Sequence, residues 1–472
     1  MVINFFIATT LIISPLMRAS WDLWAQTIIH LITLLAILIL IFKKETFLPF
    51  YLSTFLPLFI FTLFCFISIF TSFNFYESRN EFFNILNYIA IFYLVKYTDK
   101  KYIIPPALIS GLILAFYGFY QKIFIGGNIA SFMNNPNIFA GYLVGLICLT
   151  FSSFIYRPQS PTEQMFGTEH LFGYCLLIIF VAALALTGST ASWISLNFGF
   201  LVFCYLIKKR LPKKYIYLLV GISVFLIILK LNSRDSFNRI IWWLTAGKMI
   251  LSKPFTGVGL NALADAYPKY KLSGLNSVYA HNYFLQTAAE IGLFGFLAFL
   301  WFLVEIFRQT KTAENSSFFV AISAMLIHGF FDYSLLIPAN AILLWAFLGI
   351  CSRKEKPVPV TLTQNQTTIF KWLAVFFVSA AIYSLTKIFL GNRETAMGKY
   401  LLDQKKYNTA QLHFNKALQY DRNNPQTYLY LSNVYQEYFK LTKYYTYLDE
   451  AEIELNKAAK LQKKNYENIR NK

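Results

Sequence analysis

Charge is scarce in this chain. Only 14% of its 472 residues are Asp, Glu, Lys or Arg, about half the share usual in a soluble protein. That excludes an ordinary water-soluble globular domain. Cysteine is also sparse, and Cys65, Cys148, Cys175, Cys204 and Cys351 all fall inside apolar runs without metal-ligand spacing. They read as small hydrophobes, with no disulfide framework implied. The first apolar run lacks a basic leading region and a small-residue cleavage site, so a retained helix is expected there. Several catalytic signatures are missing too: no DxD-like acidic pair, no HExxH, no Walker loop and no GxSxG. A metal-bound diphosphate, a zinc protease, a P-loop nucleotide site and a serine-hydrolase elbow are thereby left without their usual residues.

What the chain has in abundance is apolar and aromatic surface, 57% and 19% of residues. The apolar residues gather in runs of about 17–25, each long enough to cross roughly 30 Å of hydrocarbon. The expected fold class is therefore all-α, a polytopic membrane helical bundle of about 12–13 spans. The runs predict spans at 3–17, 21–42, 49–70, 83–98, 103–121, 137–156, 172–188, 190–207, 214–231, 283–307, 316–333, 337–351 and 369–389. The net charge of +19 does not argue for nucleic acid, because the cations sit in short loops where the positive-inside rule explains them. Lys43-Lys44, Lys100-Lys101, Arg157, Lys208-Lys209-Arg210, Arg308 with Lys311, and Arg353-Lys354-Lys356 mark alternate loops as cytoplasmic. The opposite loops hold only Arg18, Arg79 and Lys122. The long stretch at 232–282 and the C-terminal tail are then both extracytoplasmic.

The predicted plan is a membrane domain over 1–351, a cytoplasmic linker over 352–368, a final span over 369–389, and a helical domain over 390–472. In that last part Ala410, Phe414 and Ala417 recur as Ala451, Leu455 and Ala458 at a period of 41. The pattern looks like a pair of tetratricopeptide repeats with an insertion near 440–449, Arg422 standing at the usual Pro position and Pro425 three residues later. Two repeats are few for independent stability, so packing on the membrane domain or on a protein partner is expected. A plain helical hairpin is the alternative.

The stretch at 232–282, with the start of the next helix, holds the chemistry-capable residues. A short helix from about 237 to 251 is expected to end before Pro254, with Arg239 and Trp243 on one face. A planar guanidinium outside the membrane suits phosphate oxygens, whereas the same piece also reads as an interfacial helix with Trp at headgroup depth. Pro254-Phe-Thr-Gly257-Val-Gly259 permits a tight turn or a close backbone approach to a ligand. His281-Asn282 stand where a long apolar helix begins, so unpaired N–H groups and the positive helix end face them. That field favours an anion and keeps an imidazole neutral, which suits a general base. The rival reading is a capping Asn282 beside a polar interface histidine. Glu290, and His328 with Asp332, are buried-charge candidates for support or packing. His30, His170 and His413 read as structural. Arg234, Lys248, Lys253, Lys269 and Lys271 supply further cations.

Taken in order, Arg239…Trp242-Trp243…Pro254-x-x-Gly257-x-Gly259…Tyr270…His281-Asn282…Glu290-x-Gly292-x-x-Gly295 resembles the O-antigen ligase and polymerase family. Asn135-Pro136-Asn137 is similar to that family's Asn-Pro-Asn segment, and Thr187-Gly188-Ser189-Thr190 to its Thr-Gly-Ser-Arg segment. The likeness runs over about 130–350, and a bundle followed by one span and tetratricopeptide repeats is a familiar arrangement in the family. The resemblance implies metal-independent, inverting glycosyltransfer without a cofactor, at the outer face of a bacterial inner membrane. The implied donor is a glycan on undecaprenyl diphosphate; the implied acceptor is a lipid A core, a growing glycan or a protein. Carried over, Arg239 grips the diphosphate and His281 takes the acceptor proton, while Asn135, Asn137, Ser189, Tyr270 and the two glycines become substrate-binding candidates. Thr190 departs from the family's Arg, which leaves the site one cation short: either Arg234 or Lys248 substitutes, or activity is altered. The rivals are an anion transporter, which needs charges lining a route through the bilayer, and a scaffold that only anchors the repeats. Here the chemistry-capable groups gather on one side, which favours an enzyme.

Overall fold

The computed structural model describes residues 2–43, 52–96, 98–155, 168–206, parts of 214–228, 234–310, 316–352 and 363–462. Among these, every regular element is helical. Lipid offers no partner to a peptide group, so an apolar chain satisfies its own N–H and C=O groups by coiling. The first half comprises α1 (Val2–Leu16), α2 (Leu23–Lys43), α3 (Leu52–Thr71), α4 (Phe75–Val95), α5 (Ile104–Phe124), α6 (Pro136–Thr150), α7 (Thr168–Thr187) and α8 (Thr190–Leu206). Two shorter-lived departures from the bundle follow, α9 (Arg234–Ser252) and α10 (Leu263–Tyr270). Then come α11 (Tyr283–Gln309), α12 (Ser316–Phe331), α13 (Pro338–Cys351) and α14 (Gln364–Asp403). The chain finishes with α15 (Tyr407–Tyr420), α16 (Pro425–Thr442) and α17 (Thr446–Gln462).

Among the described residues, six helical stretches are long and apolar enough to cross a membrane: Leu23–Phe42, Ser53–Thr71, Lys100–Phe124, Pro136–Phe154, Tyr283–Gln309 and Asn365–Asp403. Five shorter apolar helices accompany them, at Val2–Leu16, Leu171–Thr187, Thr190–Leu206, Ser316–Phe331 and Pro338–Cys351. The span expected at 214–231 lies largely outside the described residues. Helix α4 begins at Phe75, eight residues before the apolar run at 83 that marks it in the sequence. Asn74 caps it by accepting from the Glu77 amide at 3.3 Å. Its first turns are polar because their groups have partners: Asn84 meets His30 at 3.0 Å, Gln26 at 3.1 Å and Glu81 at 2.9 Å.

Helix α11 lies along α3, α12 against α6 and α8, α13 against α4, and α14 against α2. Burying apolar surface gains little when the surroundings are apolar too, so close packing carries the contacts. Trp345 of α13 stacks on Phe302 at 5.5 Å and meets the edge of Phe92 at 6.3 Å. Small residues let backbones close in: Gly145 sits under Met325, Gly199 under Ala324, and Gly349 against the Phe92 carbonyl.

Helix α14 runs unbroken for 40 residues, about 60 Å at 1.5 Å per residue. The boundary expected near 390 therefore has no break in the backbone. The end of α14 and helices α15 to α17 form antiparallel hairpins around Ala410, Phe414, Leu431 and Val434. Gly398 of α14 lies against the Phe414 ring, and Ala451 and Ala458 are buried. This terminal unit is tied to α4. Tyr76 Oη donates to Asn392 at 3.1 Å, and Arg79 forms an ion pair with Asp421 at 2.7 Å, their side chains 19% and 5% exposed. Removing one partner of a buried pair costs about 3–5 kcal/mol. For this partly exposed pair we expect Arg79→Ala to loosen the terminal unit by about 2 kcal/mol. Limited proteolysis in the turn at 404–406 checks it. Arg79→Asp should open that turn to protease, and Arg79→Asp with Asp421→Arg should close it again.

Candidate functional site

The site is built on an interruption in α11. Gly292 adopts φ 78°, ψ 170°, so the helix opens there and leaves backbone groups to be satisfied from outside. The Ala289 and Glu290 carbonyls accept from the Val258 and Gly259 amides, each at 2.9 Å. The Leu293 amide donates to the Pro254 carbonyl at 2.7 Å. The segment 254–259 is thus docked backbone to backbone on α11. Gly257 (φ +66°) has no room for a Cβ, which would fall on the Glu290 carbonyl. Gly259 (φ +107°) is similarly closed off by Ser72. The close approach these glycines permit is to α11 and to the turn between α3 and α4.

That turn holds the other side of the segment. Phe73 N donates to the Val258 carbonyl at 3.0 Å, Lys253 Nζ to the Thr71 carbonyl at 3.0 Å, and Ser78 Oγ to the Leu260 carbonyl at 2.5 Å. A small apolar core then packs α9 and α10 on top, from Ala246, Met249, Val258, Leu263, Ala266, Tyr267, Ala280 and Ala289. Tyr270 belongs to it, buried with its ring edge-on to Phe73 at 6.2 Å.

His281 emerges from this platform with a left-handed backbone, φ 51°, immediately before α11. Asn282 is the helix cap and accepts from the Leu285 amide at 3.0 Å. The imidazole stacks on Trp242 at 4.7 Å and meets Tyr333 edge-on at 4.9 Å. Tyr333 stacks almost parallel on Tyr279 at 4.1 Å, and its Oη accepts from Asn135 Nδ2 at 3.2 Å. Arg239 lies three residues before Trp242 and so on nearly the same face of α9. It donates from Nη1 to the Phe331 carbonyl at the end of α12, two residues from Tyr333. Arg239 and His281 therefore border one another across Trp242 and Tyr333. Burial pushes the Tyr333 hydroxyl up to about 12, with Asp332 adding and Arg239 subtracting, so it stays protonated at neutral pH. Tyr279 is shifted upward as well, by burial first and by Tyr333 next. A groove of about 650 Å³ runs over this group, lined by Trp242, Tyr267, Pro268, Tyr279, His281 and Tyr333 among others.

The remaining candidates distribute around the groove or away from it. Trp243 is half-buried beside Trp242 on α9. Arg234 opens α9, and its side chain lies outside the described residues. Lys248 is exposed and nine residues from Arg239, half a turn out of phase and hence on the far side of α9. Asn135 caps α6 by accepting from the Asn137 amide at 2.9 Å, which leaves Asn137 on the first turn. Ser189 is buried at the α7–α8 turn, bonded to Ser192 at 3.0 Å, with Thr190 opening α8. That turn reaches the α5–α6 connection through the Ile129 amide and the Leu186 carbonyl at 3.2 Å. Glu290 is buried and bonded to Gln286 at 2.8 Å. His328 and Asp332 both hold Ser334, His328 Nδ1 at its hydroxyl and Asp332 at its amide. Among the described residues, no three His, Cys, Asp or Glu side chains group as metal ligands. Trp242 entered the sequence reading only within the Arg239…Trp242-Trp243 order and without a role, and Tyr279 and Tyr333 did not enter it; nothing local links Tyr333 to His281, 52 positions earlier.

Part of the chain around the groove is similar to known proteins. Residues 175–300, about a quarter of the chain, match the sequence profile of the family described as O-antigen ligase. The matched stretch contains Arg239, Gly257, Gly259, Tyr270, His281 and Asn282, and stops short of Tyr333. The chain is also 23% identical over 226 residues to the ComP-specific O-oligosaccharyltransferase of Acinetobacter baylyi (strain ATCC 33305 / BD413 / ADP1), which is 43% of this chain and 40% of that protein. Both matches support a likeness to the O-antigen ligase family.

The docking geometry makes a distinct prediction. An Ala at 257 meets a left-handed backbone, costing about 1–2 kcal/mol by itself, and an overlap with the Glu290 carbonyl. Gly257→Ala should lower the thermal unfolding midpoint in detergent and reduce folded yield. Gly247→Ala, where a Cβ meets nothing within 4 Å on a helix, should raise the midpoint by the equivalent of about 0.5–1 kcal/mol.

Proposed function

We propose that the chain transfers a glycan from undecaprenyl diphosphate to a hydroxyl acceptor at the outer face of a bacterial inner membrane. The observation that carries this reading is the placement of His281, at the N-terminus of α11, one aromatic ring away from a guanidinium and open to a groove. In the reaction His281 accepts the proton from the acceptor hydroxyl as its oxygen attacks the anomeric carbon. The bond from that carbon to the diphosphate oxygen breaks, and its electron pair leaves with the phosphate. Arg239 meets the growing charge with the N–H groups not turned to Phe331. Direct displacement inverts the anomeric carbon. Trp242 and Tyr333 hold the imidazole on two sides, which fixes the direction in which the proton moves.

The name of the relative, an O-oligosaccharyltransferase specific for ComP, supports transfer to an oxygen acceptor; a lipid A core, a growing glycan and a protein all supply one. The hairpins of α14 to α17 fit a pair of tetratricopeptide repeats, with Ala410, Phe414 and Ala417 on the inner face. Such arrays present concave surfaces, and we assign this one to docking of the acceptor or of a protein that carries it.

His281→Ala should lower transfer in membranes supplied with lipid-linked donor by about 10²–10⁴-fold, the usual worth of a general base. Arg239→Lys should fall by at least about tenfold, since an ammonium lacks the bidentate fork. Both variants should insert at normal levels; full transfer by either one sinks its assigned role. Removing residues 404–472 should reduce transfer to acceptor more than donor hydrolysis. Equal loss of both activities would reduce the repeats to a folding aid.

A further inference from the structure

A second cavity lies on the other side of the Tyr279–Tyr333 stack, and the chemistry above does not use it. It holds about 100 Å³ and is bounded by α4, α11, the turn before α13 and the start of α2. Two carboxylates line it from different helices, Glu81 of α4 and Glu290 of α11, together with the Gln286 amide. Glu81 accepts from the Asn84 amide at 2.9 Å; Glu290 accepts from the Gln286 amide at 2.8 Å and from the Asn261 and Leu263 backbone. A carboxylate accepts about four hydrogen bonds, so most of the spare acceptor capacity is on Glu81. Tyr88 also lines the cavity; it is 3% exposed and its Oη has no hydrogen-bond partner among the described residues. An orphaned buried hydroxyl costs about 1–3 kcal/mol unless something arrives to meet it. At the mouth, half-exposed Trp21 stands edge-on to Tyr279 at 6.0 Å and 86°, giving two flat apolar walls.

The occupant must bring several hydrogen-bond donors and present an apolar face to the ring pair. A cavity of 150 Å³ admits a six-membered carbon ring, so 100 Å³ takes one edge of such a ring and excludes a lipid tail. We propose that this cavity is a carbohydrate subsite, in which the hydroxyl edge of one sugar ring meets Glu81, Glu290 and Tyr88 and its C–H face rests on Trp21 and Tyr279. Tyr279 lines both this cavity and the His281 groove, so the bound ring is the neighbour of the reacting one. The assignment rests on the glycosyltransfer reading for its substrate class, and it adds where a sugar is recognised.

The test uses the full chain in nanodiscs and saturation-transfer NMR with methyl glycosides of glucose, galactose, mannose, rhamnose and N-acetylglucosamine, with open-chain sorbitol as control. We expect saturation of ring protons in at least one glycoside and none in sorbitol. Glu290→Gln should weaken that binding about tenfold and Tyr88→Phe about fivefold, as lost charged and neutral hydrogen bonds respectively. Tyr88→Phe removes one oxygen and keeps the ring, so it separates recognition from folding. His281→Ala should bind the glycoside like the parent. Absence of saturation for every glycoside, or binding unchanged when Glu81→Gln and Glu290→Gln are combined, overturns the subsite. Should His281→Ala transfer glycan at the full rate while the cavity variants lose glycoside binding, the catalytic reading falls and the subsite stands.

Discussion

The arrangement depends on α11 failing to be a continuous helix. At Gly292 the helix turns out of its own ladder, and segment 254–259 supplies the partners that the ladder lacks. A buried peptide group without a partner costs as much as a lost hydrogen bond, so opening and docking are two halves of one interaction. With the segment fixed, α9 and α10 acquire a surface to cover, and α9 brings Trp242 to the start of α11 and Arg239 to the end of α12. Remove the docking and the groove loses its outer wall.

Around that frame the site uses stacked rings in place of many ion pairs. Trp242, His281, Tyr333 and Tyr279 form a run of contacts in which each ring restricts its neighbour. Asn135 reaches in from α6 to hold the far hydroxyl. Flat side chains have few rotatable bonds, so little rotamer freedom is lost in ordering them. A surface of this kind suits the substrate proposed above, a bulky glycan beside one anionic group.

Much of the helical plan was legible in the apolar runs, because lipid leaves a chain few alternatives to coiling. Where runs were impure the reading slipped. Glu77, Arg79, Glu81 and Asn84 disguise the first turns of α4, and they are helical because they have partners: Asn261 for Glu77, Asp421 for Arg79, Asn84 for Glu81, and His30 and Gln26 of α2 for Asn84. The composition change at Gly391 suggested a domain boundary, yet nothing in Gly391-Asn392 forces a helix to stop, and Asn392 bonds back to the Ile388 carbonyl. Arg239 and His281 stood out by residue type and position. Tyr279 and Tyr333 did not, because what makes them matter is a meeting of segments far apart in the chain. The glycines of 254–259 were readable as sites of close approach, but the partner of that approach is written in Gly292, 33 residues beyond Gly259.

Helix α14 has a consequence of phase. A flexible linker absorbs added or lost residues, whereas an unbroken helix converts each into a rotation of about 100° and a rise of 1.5 Å. Asp421 meets Arg79 only because the count of residues between the apolar part of α14 and its last turns is what it is. The terminal unit is therefore indexed to the bundle like a key on a shaft. Its direction is fixed by chain length, and any twist of that unit turns the membrane helix with it.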